Sequence, residues 1–177
     1  MSNIIIDNFK GGVLVAEHFN ACGCKSALLV ADNDICMDKS RMDGFLSRFS
    51  GIAQKLIVPM EKAARESFFY DNRKIFSECD CIFAVSDFYA LEVMRFLQKN
   101  GFEIPGKIKI AGFDDAPVCL ECTPNLTSVR QDTEKRARLA LQKLTELKSA
   151  DCGGEILLPV SLSSRGSSLP QSPLIKS

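Results

Sequence analysis

Apolar runs of strand length recur at residues 27–31, 56–59, 81–85 and 108–112, and a helical pattern fills each gap between them. The segment 39–49 carries Met42, Phe45, Leu46 and Phe49; 64–76 carries Phe68, Phe69 and Phe76; 88–100 carries Leu91, Met94 and Leu97, with Gly101 placed to stop that helix. An earlier helical stretch, 12–21, offers Val13, Leu14, Ala16 and Phe19. Short runs that are apolar at consecutive positions suit strands buried on both faces. Strand–helix alternation joins such strands in parallel through crossover helices. The expected fold class is therefore α/β, a parallel sheet between two helix layers. A chain of 177 residues is long enough for one such core.

A fifth apolar run, 155–163, contains Leu157, Leu158, Val160 and Leu162. Before it, 133–147 has the clearest amphipathic pattern. Ala137, Ala140, Leu141, Leu144 and Leu147 form a stripe, and Lys135, Arg136, Arg138, Gln142 and Lys143 fill the other face. Its basic residues could suggest a nucleic-acid helix, but Glu134 and Glu146 interrupt them, which favours a solvated face. Residues 150–154 read as a turn, and the Ser- and Pro-rich stretch 166–177 as a flexible tail.

Lys plus Arg and Asp plus Glu number 22 each, so the formal net charge is zero. That balance argues against a chain that itself clamps nucleic acid through phosphate neutralisation. No apolar run is long enough for a bilayer, and residues 1–8 lack the pattern of a secretory leader. The expected compartment is the cytoplasm, with the 8 cysteines reduced. Three close pairs occur, Cys22/Cys24, Cys79/Cys81 and Cys119/Cys122, and His18 is the lone histidine. A structural zinc site needs four ligands, usually from two knuckles, so buried thiols without a metal are expected.

Ligands in open α/β sheets bind outside the carboxyl ends of the strands. Three of those ends carry acids here: "DND" at 32–34, Ser86-Asp87, and "GFDD" ending in Asp114-Asp115. Arg41 follows the first of them closely. Each has a structural alternative. Asp87 could cap the next helix, Asp115 could fix the turn towards Pro117, Asp38 could start a helix, and Arg41 could pair with a surface acid. "DNDICMDKSRMD" lacks the glycine and terminal glutamate of a calcium loop. Two chemistries remain. "LLVADND", "IFAVSD" and "IAGFDD" loosely resemble the haloacid-dehalogenase-like phosphatases, in which one acid attacks phosphorus and others hold Mg²⁺. Against this, Ile35 and Cys36 follow "DND", and Lys107 and Lys109 sit in or beside the last strand. The other is a polyol-binding lobe, because acceptor carboxylates and a donor guanidinium complement sugar hydroxyls.

In order along the chain, "IIIDNFKGGVLVAEHF", "SALLVAD", "SRMDGF", "CIFAVSDFYALEVMRFL", "GFEIPGKIKIAGFDDAP", "TPNLTSVRQD" and "LPVSLSSRGSS" resemble the effector-binding core of the LacI/GalR-type transcriptional repressors. The resemblance implies a periplasmic-binding-protein-like, Rossmann-like fold of two lobes joined by three crossovers, with a small-molecule effector in the cleft between them. It implies an incomplete version of that fold. Residues 1–165 would be an effector-binding fragment: 26–130 and 155–165 form the carboxy-terminal lobe, and 1–25 and 131–150 belong with the amino-terminal lobe. DNA would be contacted only through a helix-turn-helix headpiece absent from this chain. No cofactor, metal, membrane or catalytic step is implied. A periplasmic-type sugar-binding protein of the same fold is the alternative within binding proteins.

By the same resemblance, Arg41 and Asp114 would bind the effector, Ser86 and Gln131 would add polar contacts, and Asp7 would be a hinge residue facing the cleft. Asp87 and Asp115 would be a structural cap and a turn residue. The stretch "PMEKAARE" departs from the pattern, since several members carry a ring there to stack on the effector. The stripe of 133–147 would lack the lobe it packs on, so a homodimer, or exchange of helices between chains, is expected.

Overall fold

The computed structural model describes residues 3–146 and 155–169. Its strands are β1 (Asn3–Ile6), β2 (Ser26–Ala31), β3 (Ile52–Ile57), β4 (Cys81–Ala84), β5 (Lys109–Asp114), β6 (Thr127–Gln131), β7 (Glu155–Leu158) and β8 (Val160–Ser163). Its helices are α1 (Asn8–Ala21), α2 (Cys36–Arg48), α3 (Lys62–Asp71), α4 (Arg73–Ser77), α5 (Asp87–Lys99) and α6 (Thr133–Glu146). Six strands form one sheet in the order β3-β2-β4-β5-β6-β8; all neighbours are parallel except β6 and β8. β1 and β7 pair in parallel as a separate ribbon.

The central strands bury both faces, as their unbroken apolar runs require. Leu28, Val30, Ile82 and Ile110 meet Phe69, Phe76, Leu91, Met94 and Leu97 of α3, α4 and α5. The alternate residues Leu29, Phe83 and Phe113 meet Val15, Phe19, Met42 and Phe45 of α1 and α2. α1 and α2 approach unusually closely. A Cβ on Gly12 would run into the Arg41 carbonyl, and one on Gly44 into the Phe9 carbonyl.

Several expected boundaries move, for identifiable reasons. β3 begins at Ile52 rather than 56, because it is an edge strand whose Ile52 and Gln54 face outward and so break the apolar run. The 64–76 helix is two helices, divided at Asn72, whose amide donates to the Phe68 carbonyl. The 155–163 strand is broken at Pro159: the first half pairs with β1 and the second with β6. "LTSVRQD" contains a full strand, β6, beside β5. The stop at Gly101 is as expected, with φ +78°.

Two domain assignments also change. α1 does not belong with a separate lobe: Val15, Ala16 and Phe19 are fully buried against the six-stranded sheet and α2. Among the described residues, β1, α6 and β7 stand apart from that sheet. Nor is the chain loose from 166. Ser167 and Ser168 are fully buried; Ser167 Oγ donates to the Ile110 carbonyl and Ser168 Oγ meets Thr127 Oγ1 at 2.6 Å. Hydroxyls that find buried partners hold a segment that composition alone marks as loose. The 150–154 turn, Leu147, and residues 170–177 lie outside the described residues.

Three connections link the six-stranded unit to the β1/β7 ribbon and α6: β1 to α1 at Asp7, β6 to α6 at Asp132, and β7 to β8 at Pro159. α6 leaves its apolar stripe open, with Leu141 and Leu144 63–64% exposed. No helix among the described residues is long and apolar enough to cross a membrane.

Candidate functional site

Parallel strands deliver their carboxyl ends to one rim, and the rim here is polar. At its centre Arg41, 8% exposed, enters from α2. Its Nη1 donates to the Val85 carbonyl at 2.5 Å and its Nε to Asn8 Oδ1 at 2.9 Å. The guanidinium carbon lies 3.8 Å from the centre of the Phe113 ring, a cation–π contact on the last apolar residue of β5. The tight α1–α2 contact at Gly12 is what sets the Arg41 backbone this close to Asn8. Burial draws the guanidinium down from its ordinary value, while Asp114, Asp38 and Asp87 pull it back up. So Arg41 is not the exposed surface partner that was one alternative.

Asp114 and Asp115 both carry positive φ, 115° and 54°, where non-glycine residues are uncommon. The reversal sends the two carboxylates apart. Asp114 Oδ1 faces the rim, accepts from Gln131 Nε2 at 2.5 Å, and lies 3.7 Å from Arg41 Nη2. Burial pushes its carboxyl up to about 6, against the pull of Arg41. Asp115 turns into the structure. It pairs with Arg165 at 2.6 Å and accepts from Ser163 Oγ, and its N–H donates to Ser128 Oγ.

The cap expected at Asp87 is provided instead by Ser86, whose Oγ accepts from the Tyr89 N–H at 3.4 Å. Asp87, buried in the first turn of α5, braces the double-acid turn. Its Oδ1 accepts from Ser128 Oγ at 2.5 Å and its Oδ2 from the Ala116 N–H at 2.8 Å. Burial raises its pKa, and those two hydrogen bonds oppose the rise. Gly112 makes room for it, since a Cβ there would strike Asp87 Oδ1. Asp7 caps α1 by accepting from the Lys10 N–H at 2.9 Å, and its own N–H donates to the Leu158 carbonyl. It thus sits at one connection to the ribbon, next in sequence to the Asn8 that holds Arg41.

The two outer acids of "DND" separate. Asp34 holds Lys55 at 2.9 Å through both oxygens, whereas Asp32 accepts from the Asn33 amide, which also donates to Asp38. Burial and the Asp32 contact raise the Asp38 carboxyl, and Tyr89 is pushed up to about 12. A phosphatase D-x-D would converge on one ion; these residues diverge.

Three rim residues were not singled out from sequence. Asn8 orients Arg41, and its only signal is adjacency to Asp7. Phe88 is 53% exposed at the start of α5, 5.1 Å from the Arg65 guanidinium. Met60, 79% exposed, stands at the carboxyl end of β3. Arg65 holds that corner through Glu92 at 2.6 Å and the Pro59 carbonyl at 2.9 Å.

Comparison with known proteins gives this rim a family. The model of the periplasmic binding protein-like domain matches residues 16–168. The chain is 27% identical over 158 residues to the HTH-type transcriptional regulator CelR of Thermobifida fusca, covering 82% of this chain and 46% of that protein. It is 28% identical over 164 residues to the sucrose operon repressor of Streptococcus mutans, covering 88% and 50%. The chain thus spans about half the length of the curated relatives it matches. Among solved structures, a LacI family transcriptional regulator from Enterococcus faecalis with bound ribose superposes with a TM-score of 0.83 at 25% identity, covering 96% of this chain and 64% of that one. The matched relatives are regulators, which leaves the phosphatase alternative without support. The chain belongs to the periplasmic binding protein-like domain family, as a partial effector-binding domain of the LacI/GalR type.

Proposed function

We propose that this chain is the sugar-sensing part of a transcriptional regulator. The observation that carries this is the convergence of Asp114 Oδ1, Arg41 Nη2 and the Gln131 amide at one point on the open rim. Arg41 spends Nε and Nη1 on the protein, which leaves Nη2 to donate outward. Asp114 is an acceptor facing the same space. Together they match a hydroxyl that both donates and accepts. Ser86 adds a hydroxyl at the end of β4, and Phe88 and Met60 offer apolar surface for the ring face of a sugar. Asp7 acts at the hinge between the lobe and the ribbon.

Relatives support the class of ligand: one structure holds ribose, and another relative is named for a sucrose operon. A rigid wall with a displaceable second lobe converts binding into a change of lobe angle, and hence of operator affinity. DNA contact then belongs to a helix-turn-helix headpiece outside these 177 residues. The assembly is a homodimer working in the cytoplasm, and the chain is not an enzyme.

The test is a calorimetric panel of pentoses, hexoses and disaccharides against this chain and against a chain completed with a second lobe. Binding should be weak to the single wall and stronger by orders of magnitude to the two-lobed form. A panel in which no sugar binds the completed form would overturn the proposal.

A further inference from the structure

Arg41 and Asp114 are each one side chain away from a crossover. Gln131, the last residue of β6, donates to Asp114 and pairs in the sheet with Val160, the first residue of β8. Arg41 is tied through Asn8, the first residue of α1. Asn8 Oδ1 accepts from Arg41 Nε at 2.9 Å, and Asn8 Nδ2 donates to the Ile6 carbonyl at 3.1 Å. The other side of that same peptide group, the Asp7 N–H, donates to the Leu158 carbonyl at 3.0 Å. Guanidinium, side-chain amide, Ile6–Asp7 peptide and Leu158 carbonyl thus lie in one unbroken line of hydrogen bonds. The line starts at the polar rim and ends on the crossovers from β1 to α1 and from β7 to β8.

The partners require an amide at position 8, in one orientation. A guanidinium nitrogen only donates and a peptide carbonyl only accepts, so one end of the side chain must accept and the other must donate. A carboxylate would serve Arg41 but not Ile6, and an apolar side chain would serve neither. The charge on Arg41 polarises the amide, which strengthens its bond to Ile6 and, through the peptide, the bond to Leu158. The guanidinium is planar and rigid, so a tilt that carries Nη2 towards a ligand also moves Nε. Nη2 is the corner left facing Asp114, 3.7 Å away. Ile6 and Leu158 are register partners at the end of the β1/β7 ribbon nearest the rim. A small displacement there tilts the whole ribbon.

We propose that Asn8 is a positioning residue that carries occupancy of the rim to the crossovers: a ligand on Arg41 alters, through the Asn8 amide, the bonds of the Ile6–Asp7 peptide and of Leu158. The inference rests on the sugar-sensing reading above and adds to it the route from the wall to the hinge. Asn8 is the only side chain between Arg41 and the end of β1 on that route. Gln131 gives Asp114 a parallel tie to the crossover from β6 to α6. A ligand held by both Arg41 and Asp114 therefore acts on all three connections at once.

The test titrates the isotope-labelled chain by NMR with D-ribose, D-glucose and cellobiose in turn. It reads the Arg41 Nε–H, the Asn8 side-chain amide, the Ile6 and Leu158 carbonyl carbons and the Asp7 N–H. In the wild type all of them should shift along one saturation curve. Asn8→Asp keeps an acceptor for Arg41 and loses the donor to Ile6. In that variant, whatever its affinity, a sugar that moves the Arg41 Nε–H should leave Ile6 and Asp7 unmoved. Ile6 and Asp7 shifts that keep their wild-type proportion to the Arg41 shift in Asn8→Asp overturn the inference. So does a wild-type chain in which Arg41 responds while Ile6 and Asp7 stay still. That second outcome needs no variant to fold, and it leaves the sugar-sensing reading standing. An Arg41 signal that stays silent with all three sugars overturns that reading and this inference together.

Discussion

Arg41 Nη2 stands 3.7 Å from Asp114 Oδ1, beyond a hydrogen bond, although Nε and Nη1 of the same guanidinium are firmly bonded to Asn8 and Val85. The lobe fixes the arginine by its other atoms and leaves this pair unclosed. The incomplete pairing explains why burial outweighs Arg41 and holds the Asp114 carboxyl near 6.

That balance has a consequence for stability. An acid whose folded pKa is raised binds its proton more tightly folded than unfolded. Stability therefore falls as pH climbs from about 4, the ordinary carboxylate value, through the folded value near 6. Asp114→Asn should stabilise the chain at pH 7.5 by about 1 kcal/mol, after discounting for a side chain that is partly open to solvent. The gain should vanish below about pH 4. Urea unfolding at the two pH values checks both statements.

Arg41 is as much a structural residue as a ligand donor. Arg41→Ala leaves the Val85 carbonyl and Asn8 Oδ1 without their donor and uncovers Phe113. It should cost about 3 kcal/mol. Arg41→Lys keeps the charge but cannot span both acceptors, and should fall between the two. Denaturant midpoints for the three proteins give the order. A site test at this position must therefore include the lysine variant, because the alanine variant weakens the lobe itself.

The helix pair that carries Arg41 depends on two missing side chains. Gly12→Ala and Gly44→Ala each place a methyl group against a backbone carbonyl of the facing helix. Each should destabilise the chain by about 2–3 kcal/mol, the usual cost of overpacking. Ala substitution normally helps a helix interior, so thermal unfolding that shows a gain would refute the close-contact account.

Arg165 closes the lobe from the far side by bonding Asp115, the Leu126 carbonyl and, through its N–H, Thr127 Oγ1. Arg165→Ala leaves Asp115, whose side chain is 9% exposed, without its cation. A loss of about 3 kcal/mol is expected, as for other broken buried pairs. Hydrogen exchange should show the Ser167 amide, which donates to the Asn125 carbonyl, losing protection first.

Much of this fold was legible because central parallel strands write themselves as unbroken apolar runs, as at residues 81–85 and 110–113. β3 was misplaced because an edge strand alternates, and the 155–163 strand because Pro159 divides partners without changing composition. The placement of α1 was obscured by treating its helix as part of another lobe; Gly11 and Gly12, which let it lie against Phe113 and α2, carry that information only once the partner helix is known. At the site, strand ends brought Arg41 and the Asp114–Asp115 pair to notice, and only the resemblance to the LacI/GalR repressors chose Arg41 and Asp114 among them. The opposite orientation of Asp114 and Asp115 was not legible, since it rests on two positive φ angles and on Arg165, fifty residues later. Phe88 was hidden for the same reason: only the helix start shows which side of it faces out.

The central claim is that Arg41, Asp114 and Gln131 form one ligand-contacting wall. The direct measurement is an NMR titration of the isotope-labelled chain with the tightest-binding sugar of the panel. The account predicts shifts at the Gln131 side-chain amide, the Arg41 Nε–H, and the backbone N–H groups of Asp114 and Asp115, all lost in Asp114→Asn. Saturable shifts on another face, with those four signals unmoved, would contradict it.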